Sequence, residues 1–78
     1  MGPSVKTVEA RSDFKLVVEF DNGEIRLFDV VPYLDKGIFT ELQNISYFKR
    51  VRVAFGSVEW PHHQDFSHDT LYLEGHRI

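Results

Sequence analysis

Between Phe14 and Val30, apolar and polar residues alternate in two runs separated by one turn signal. Phe14, Leu16, Val18 and Phe20 interleave with Lys15, Val17 and Glu19; after Asp21-Asn22-Gly23-Glu24, Ile25, Leu27 and Asp29 interleave with Arg26, Phe28 and Val30. A period of two places successive side chains on opposite faces of a strand. Asn-Gly between two such runs is a strong hairpin signal, because both residues tolerate positive φ. A two-residue loop there sets Phe20 opposite Ile25, Glu19 opposite Arg26, Val18 opposite Leu27 and Val17 opposite Phe28. This register predicts a core face of Phe14, Leu16, Val18, Phe20, Ile25 and Leu27, with Glu19 and Arg26 as an outward cross-strand ion pair. Val17 and Phe28 then sit side by side on the outer face, with Val30 nearby. They form either a modest apolar spot, common on any surface, or part of a contact surface for a second chain.

Val5 to Ala10 reads as a first strand, with Arg11-Ser12-Asp13 as the turn into the next. After Val30 the period changes. Asp29 is a cap for a short helical turn through Val31-Pro32-Tyr33-Leu34, with proline in the first turn where its missing N–H costs little. Asp35-Lys36-Gly37 is a stop. Ile38, Phe39, Leu42, Ile45 and Phe48 recur near helical spacing, either as one helix or with Asn44 capping a second short one over residues 45–49. Residues 50–55 alternate again, which predicts a strand with Val51, Val53 and Phe55 inward. A turn at Gly56-Ser57 then sets Phe55 opposite Val58 and Val53 opposite Trp60, and Pro61 ends this second hairpin. Ser67 to Leu73 reads as a short helix capped by Ser67, with Asp69 near its positive end, Leu71 returning to the core and Gly75 as the stop.

The order β-β-β-α-β-β with a short C-terminal helix predicts one α+β domain over residues 1–78, a two-layer arrangement of a mainly antiparallel sheet with helices on one face. A chain of 78 residues buries roughly 60% of its unfolded surface, too little for a deep catalytic cleft, so no enzyme activity is expected. Aromatic residues make up 14% of the chain, which suits a small core that gains most from large side chains. There is no cysteine, so disulfides and thiolate metal sites are excluded, and a reducing, cytoplasmic setting is expected. No apolar run approaches the roughly 20 residues of a membrane span. Met1-Gly2-Pro3-Ser4 has neither the basic region nor the apolar stretch of a signal peptide.

The cluster that invites chemistry is His62, His63, Asp65 and His68. These are nitrogen and oxygen donors that suit zinc, nickel or iron, yet their spacing matches no metal motif, and the alternative is a polar loop in which Asp65 accepts backbone N–H bonds. No Ser lies in a nucleophile elbow, and Gly23, Gly37, Gly56 and Gly75 mark turns, not a phosphate loop. No metal or other cofactor is assigned. Arg50 and Arg52 project from one strand face and could meet phosphate or an acidic partner, but a net charge of −3 argues against direct nucleic-acid binding.

Phe20-Asp21-Asn22-Gly23-Glu24 with Phe28-Asp29-Val30, Gly37-x-Phe39-x-x-Leu42, Phe48-x-x-Val51 and Glu59-Trp60-Pro61 with Asp65 and Leu71-Tyr72 occur here in order. Together they resemble the small bacterial family known as domain of unknown function 2442, over about residues 5 to 73. The resemblance implies a compact α+β unit, found alone or beside a helix-turn-helix segment and often encoded next to a small toxin-like protein. It therefore implies regulatory or antitoxin-like partner binding, without a reaction. His62, His63 and His68 stand where the family pattern has a small polar residue, a glycine and a proline. Trp60, Asp65 and Tyr72 follow the pattern, either as a surface feature or as a lock for the tail.

The expected function is thus a non-enzymatic interaction or regulatory module. Its partner would be another protein, such as the product of a neighbouring gene, or a second copy in a homodimer. Candidate contact residues are Val17, Phe28, Val30, Arg50, Arg52, Trp60, Asp65 and Tyr72. The alternatives are a metal-binding protein or metal-dependent enzyme built on the histidine cluster, and a nucleic-acid accessory built on Arg50 and Arg52.

Overall fold

A computed structural model describes residues 2–78. The first sheet is antiparallel and has four strands in the order β1-β2-β3-β7: β1 (Val5–Ala10), β2 (Lys15–Phe20), β3 (Ile25–Asp29) and β7 (His76–Arg77). Two 3-10 segments, Val31–Tyr33 and Gly37–Gln43, and the short helix α1 (Ile45–Phe48) follow β3. A second antiparallel sheet then forms from β4 (Arg52–Ala54), β5 (Ser57–Glu59) and β6 (Asp65–Phe66), before helix α2 (His68–Glu74). The architecture is α+β, with the strands in two sheets where one was expected.

The first hairpin forms where Asn-Gly predicts it, but its loop is one residue longer. The Phe20 amide donates to the Glu24 carbonyl at 2.8 Å, and the Gly23 amide donates to the Phe20 carbonyl at 2.9 Å. Gly23 has φ 87°, while Asn22 is not left-handed and uses its side-chain oxygen to accept the Glu24 amide at 3.0 Å. This is a three-residue loop with glycine in the left-handed position, in place of the two-residue turn. Leu16 therefore faces Phe28, Val18 faces Arg26 and Glu19 faces Ile25. A one-residue slip moves every side chain of β3 to the other face. Phe28 and Val30 are core residues at 1% and 0% exposure, so neither belongs to an outer contact surface. Ile25 and Leu27 turn outward, and Glu19 and Arg26 are not cross-strand partners.

The second hairpin also turns one residue early. Phe55-Gly56 is the loop, both residues with positive φ, and Ala54 faces Ser57, Val53 faces Val58 and Arg52 faces Glu59. Phe55 consequently points to water instead of inward. Val53, expected inside, is 37% exposed, and Trp60, expected opposite it, is fully buried.

The middle of the chain keeps an apolar stripe but divides at Asn44. Its side chain accepts the Ser46 amide at 3.0 Å and the Tyr47 amide at 3.4 Å, which caps α1 and leaves the preceding turn as a 3-10 segment. Ser67 caps α2 by accepting the Thr70 amide at 3.2 Å. Gly75 leaves α2 in an extended conformation, φ −74° and ψ 151°, and only glycine fits there, because a Cβ would meet the Leu71 carbonyl oxygen at 2.5 Å. The core runs through Leu16, Val18, Phe20, Phe28, Phe48, Trp60 and Leu71, with Phe14, Tyr33 and Phe39 packed around it.

Candidate functional site

Two phenylalanines adopt a left-handed backbone: Phe14 at φ 62° and Phe55 at φ 53°. For a residue with a Cβ this conformation costs on the order of 1–2 kcal/mol. At Phe14 packing offsets that cost, since its ring meets Phe48 edge-on at 5.2 Å. Phe55 has no such return. It sits at the tip of the β4–β5 hairpin with 101% exposure, the highest among the large apolar residues described. The tip is held from below, because the Val5 amide donates to the Gly56 carbonyl at 2.8 Å and Ser4 packs against Gly56. Val53 and Arg52 flank the stem, and Arg52 is tied to Glu59 at 2.7 Å.

The histidine cluster does not converge. Nδ1 of His62 lies 2.6 Å from Glu41 Oε2, and its ring packs on Tyr47. His63 is in a left-handed turn, and Asp65 pairs with Glu59 in β6. The His68 amide donates to Ser57 Oγ at 3.0 Å, and its Nδ1 lies 3.2 Å from Asp69. Among the described residues, no group of three or more His, Cys, Asp or Glu is placed to hold a metal ion.

Distance along the chain hid a network behind His62. Gln64, 2% exposed, donates through Nε2 to Glu41 Oε1 at 2.8 Å and to the Ile38 carbonyl at 3.1 Å. Its Oε1 accepts the Tyr47 hydroxyl at 2.6 Å, and that hydroxyl accepts the His62 amide at 2.8 Å. The Gln64 bond, with the lesser help of His62, holds the Glu41 carboxyl below its ordinary range. Each buried polar group in this network has a partner, as burial requires, so it locks the Pro61–Gln64 turn onto the 3-10 segment.

Tyr72 and Trp60 are locks too. The Trp60 indole N–H donates to the Phe48 carbonyl at 2.7 Å. Tyr72 donates its hydroxyl to Glu24, and the Arg26 guanidinium lies 3.8 Å over its ring while donating to the Tyr72 carbonyl at 2.6 Å. The Tyr72 hydroxyl first, then Arg26, bring the Glu24 carboxyl down to about 2. Val17 is half-buried opposite Leu27 on the outer face of the first sheet, and Arg50 is exposed.

The family model for DUF2442, a protein of unknown function, matches residues 5–77. The chain belongs to the DUF2442 family. No curated protein and no solved structure matches it. The DUF2442 match covers both sheets and both helices, so the hairpin tip and the Glu24–Tyr72 lock lie inside the family unit. No helix of this DUF2442 chain, among the described residues, is long and apolar enough to cross a membrane. Phe55, expected inward, is the residue whose exposure the alternation concealed; the available signal was an aromatic directly before Gly56 in a tight turn.

Proposed function

We propose that the chain is a non-enzymatic protein-interaction module that anchors a partner through Phe55 at the tip of the β4–β5 hairpin. The observation that carries this reading is the fully exposed ring on a left-handed backbone. Neither the turn nor the core gains from phenylalanine at that position, and conformational cost without a folding return points to a functional role. An aromatic ring entering a partner's pocket is the usual centre of a binding hot spot, and Val53 and Arg52 would form its rim. A regulatory, antitoxin-like role in the cytoplasm fits this reading, with the hairpin tip filling an apolar recess on a small protein encoded nearby. Co-expression with the product of the neighbouring gene tests it. Phe55→Ser is expected to weaken the complex about thirty-fold or more while the protein stays folded; equal affinity of the variant and the parent would overturn the reading.

A further inference from the structure

A notch of about 430 Å³ opens at the edge of the first sheet opposite β1, between the end of β3, the 3-10 turn after it and the end of α2. It exists because β7 is two residues long and pairs with Arg26 and Leu27, stopping short of Phe28 and Asp29. Its floor is Tyr33, stacked on the buried Phe28 with ring centroids 5.9 Å apart, and Pro32 adds an apolar wall. Charged groups of both signs surround that floor, the carboxylates of Asp29 and Glu74 and the ammonium of Lys36, with the imidazole of His76 beside them as a hydrogen-bonding group. Among the described residues, each carboxylate is oriented through one oxygen. Asp29 Oδ1 accepts the Val31 amide at 3.0 Å, and Glu74 Oε1 accepts the Tyr33 hydroxyl at 2.6 Å. The contact between Lys36 and Asp35 is 3.7 Å long between highly exposed groups, and an ion pair of that kind holds a side chain weakly.

The Val30 amide donates to the Phe14 carbonyl, and main-chain groups alternate in direction along a strand. The amide and carbonyl of Asp29 therefore point away from β2, toward the notch side. The volume falls in the range of small-molecule sites, which combine an apolar floor with a few convergent polar groups. A cation alone would leave Lys36 unmatched, and an anion alone would face the two carboxylates.

We propose that this notch binds a small zwitterion with an apolar body, of the class of free aromatic α-amino acids. The ring lies on Tyr33 against Pro32, the ammonium meets Asp29 and Glu74, and the carboxylate meets Lys36 and His76. The site shares no residue with the hairpin tip, so either can fail alone. An NMR titration of the ¹⁵N-labelled full chain with L-phenylalanine tests it, with phenethylamine and hydrocinnamate as single-charge analogues. Saturable shifts centred on Tyr33 and His76 are expected, with a dissociation constant on the order of millimolar for a ligand of this size. Each analogue is expected to bind about ten-fold more weakly, and Lys36→Gln should weaken the amino acid but leave phenethylamine unchanged. Absence of saturable shifts up to roughly ten times that concentration, shifts centred elsewhere, or an analogue that binds as tightly as the amino acid would overturn the proposal.

Discussion

Phe14 and Phe55 hold the same left-handed backbone, at φ 62° and 53°, yet the ring of Phe14 packs on Phe48 while that of Phe55 stands in water. Replacing each should therefore move stability in opposite directions. Phe55→Asn puts Asn-Gly in the hairpin turn, where both residues accept positive φ, and should stabilise the fold by about 1 kcal/mol. Phe14→Ala removes a packed ring and should cost about 2–3 kcal/mol. Urea unfolding followed by the fluorescence of Trp60, the single tryptophan, reads both.

Glu24 ties the first hairpin to α2 and β7, accepting from Tyr72, from Arg26 and from Arg77 Nε at 3.1 Å. Its carboxyl stands at about 2 in the folded protein against 4.5 as a free side chain. A group lowered on folding contributes stability that is fully present above the unfolded value and is lost as pH falls toward the folded value. The unfolding midpoint should therefore drop between pH 4.5 and about 2. Glu24→Gln should lower stability at neutral pH and flatten the slope in that window.

Gly23 sits at φ 87° with no atom within 4 Å of where a Cβ would be. The cost of Gly23→Ala is thus conformational, on the order of 1 kcal/mol. Gly23→Asn should cost less, because asparagine visits this region more readily. Thermal unfolding of the two variants gives the order.

Gln64 is the buried hub between Glu41, Tyr47 and the Ile38 carbonyl. Gln64→Leu keeps the bulk but strips partners from the Tyr47 hydroxyl and Glu41. The expected loss is about 1–3 kcal/mol, visible as a lower unfolding midpoint.

How far the fold was legible depended on what alternation can distinguish. In β2 one face is wholly apolar, and Leu16, Val18 and Phe20 are buried as the pattern requires. In β3 the pattern offers two apolar sets, Ile25 with Leu27 and Phe28 with Val30, so it cannot choose between faces. The loop length decides, and the same Asn-Gly pair serves a two-residue or a three-residue loop. Gly56 could likewise be the first or the second residue of its turn, and that one-position difference sent Phe55 to solvent. The caps at Asn44 and Ser67 were legible because they act within three residues. The bond between Glu41 and Gln64 spans 23 residues and that between Glu24 and Tyr72 spans 48, so no local spacing announced them. The histidine run looked like a cluster because its members are close in sequence; the left-handed turn at His63 and the start of α2 at His68 send them apart.

The contact role of Phe55 is tested most directly by a photo-crosslinking phenylalanine analogue placed at position 55 in the living source cell, with the same analogue at Leu73, 78% exposed on α2, as the control. One discrete adduct formed from position 55, with a partner protein or a second copy, and absent from position 73, is the predicted result. No adduct from position 55, or the same adducts from both positions, would contradict it.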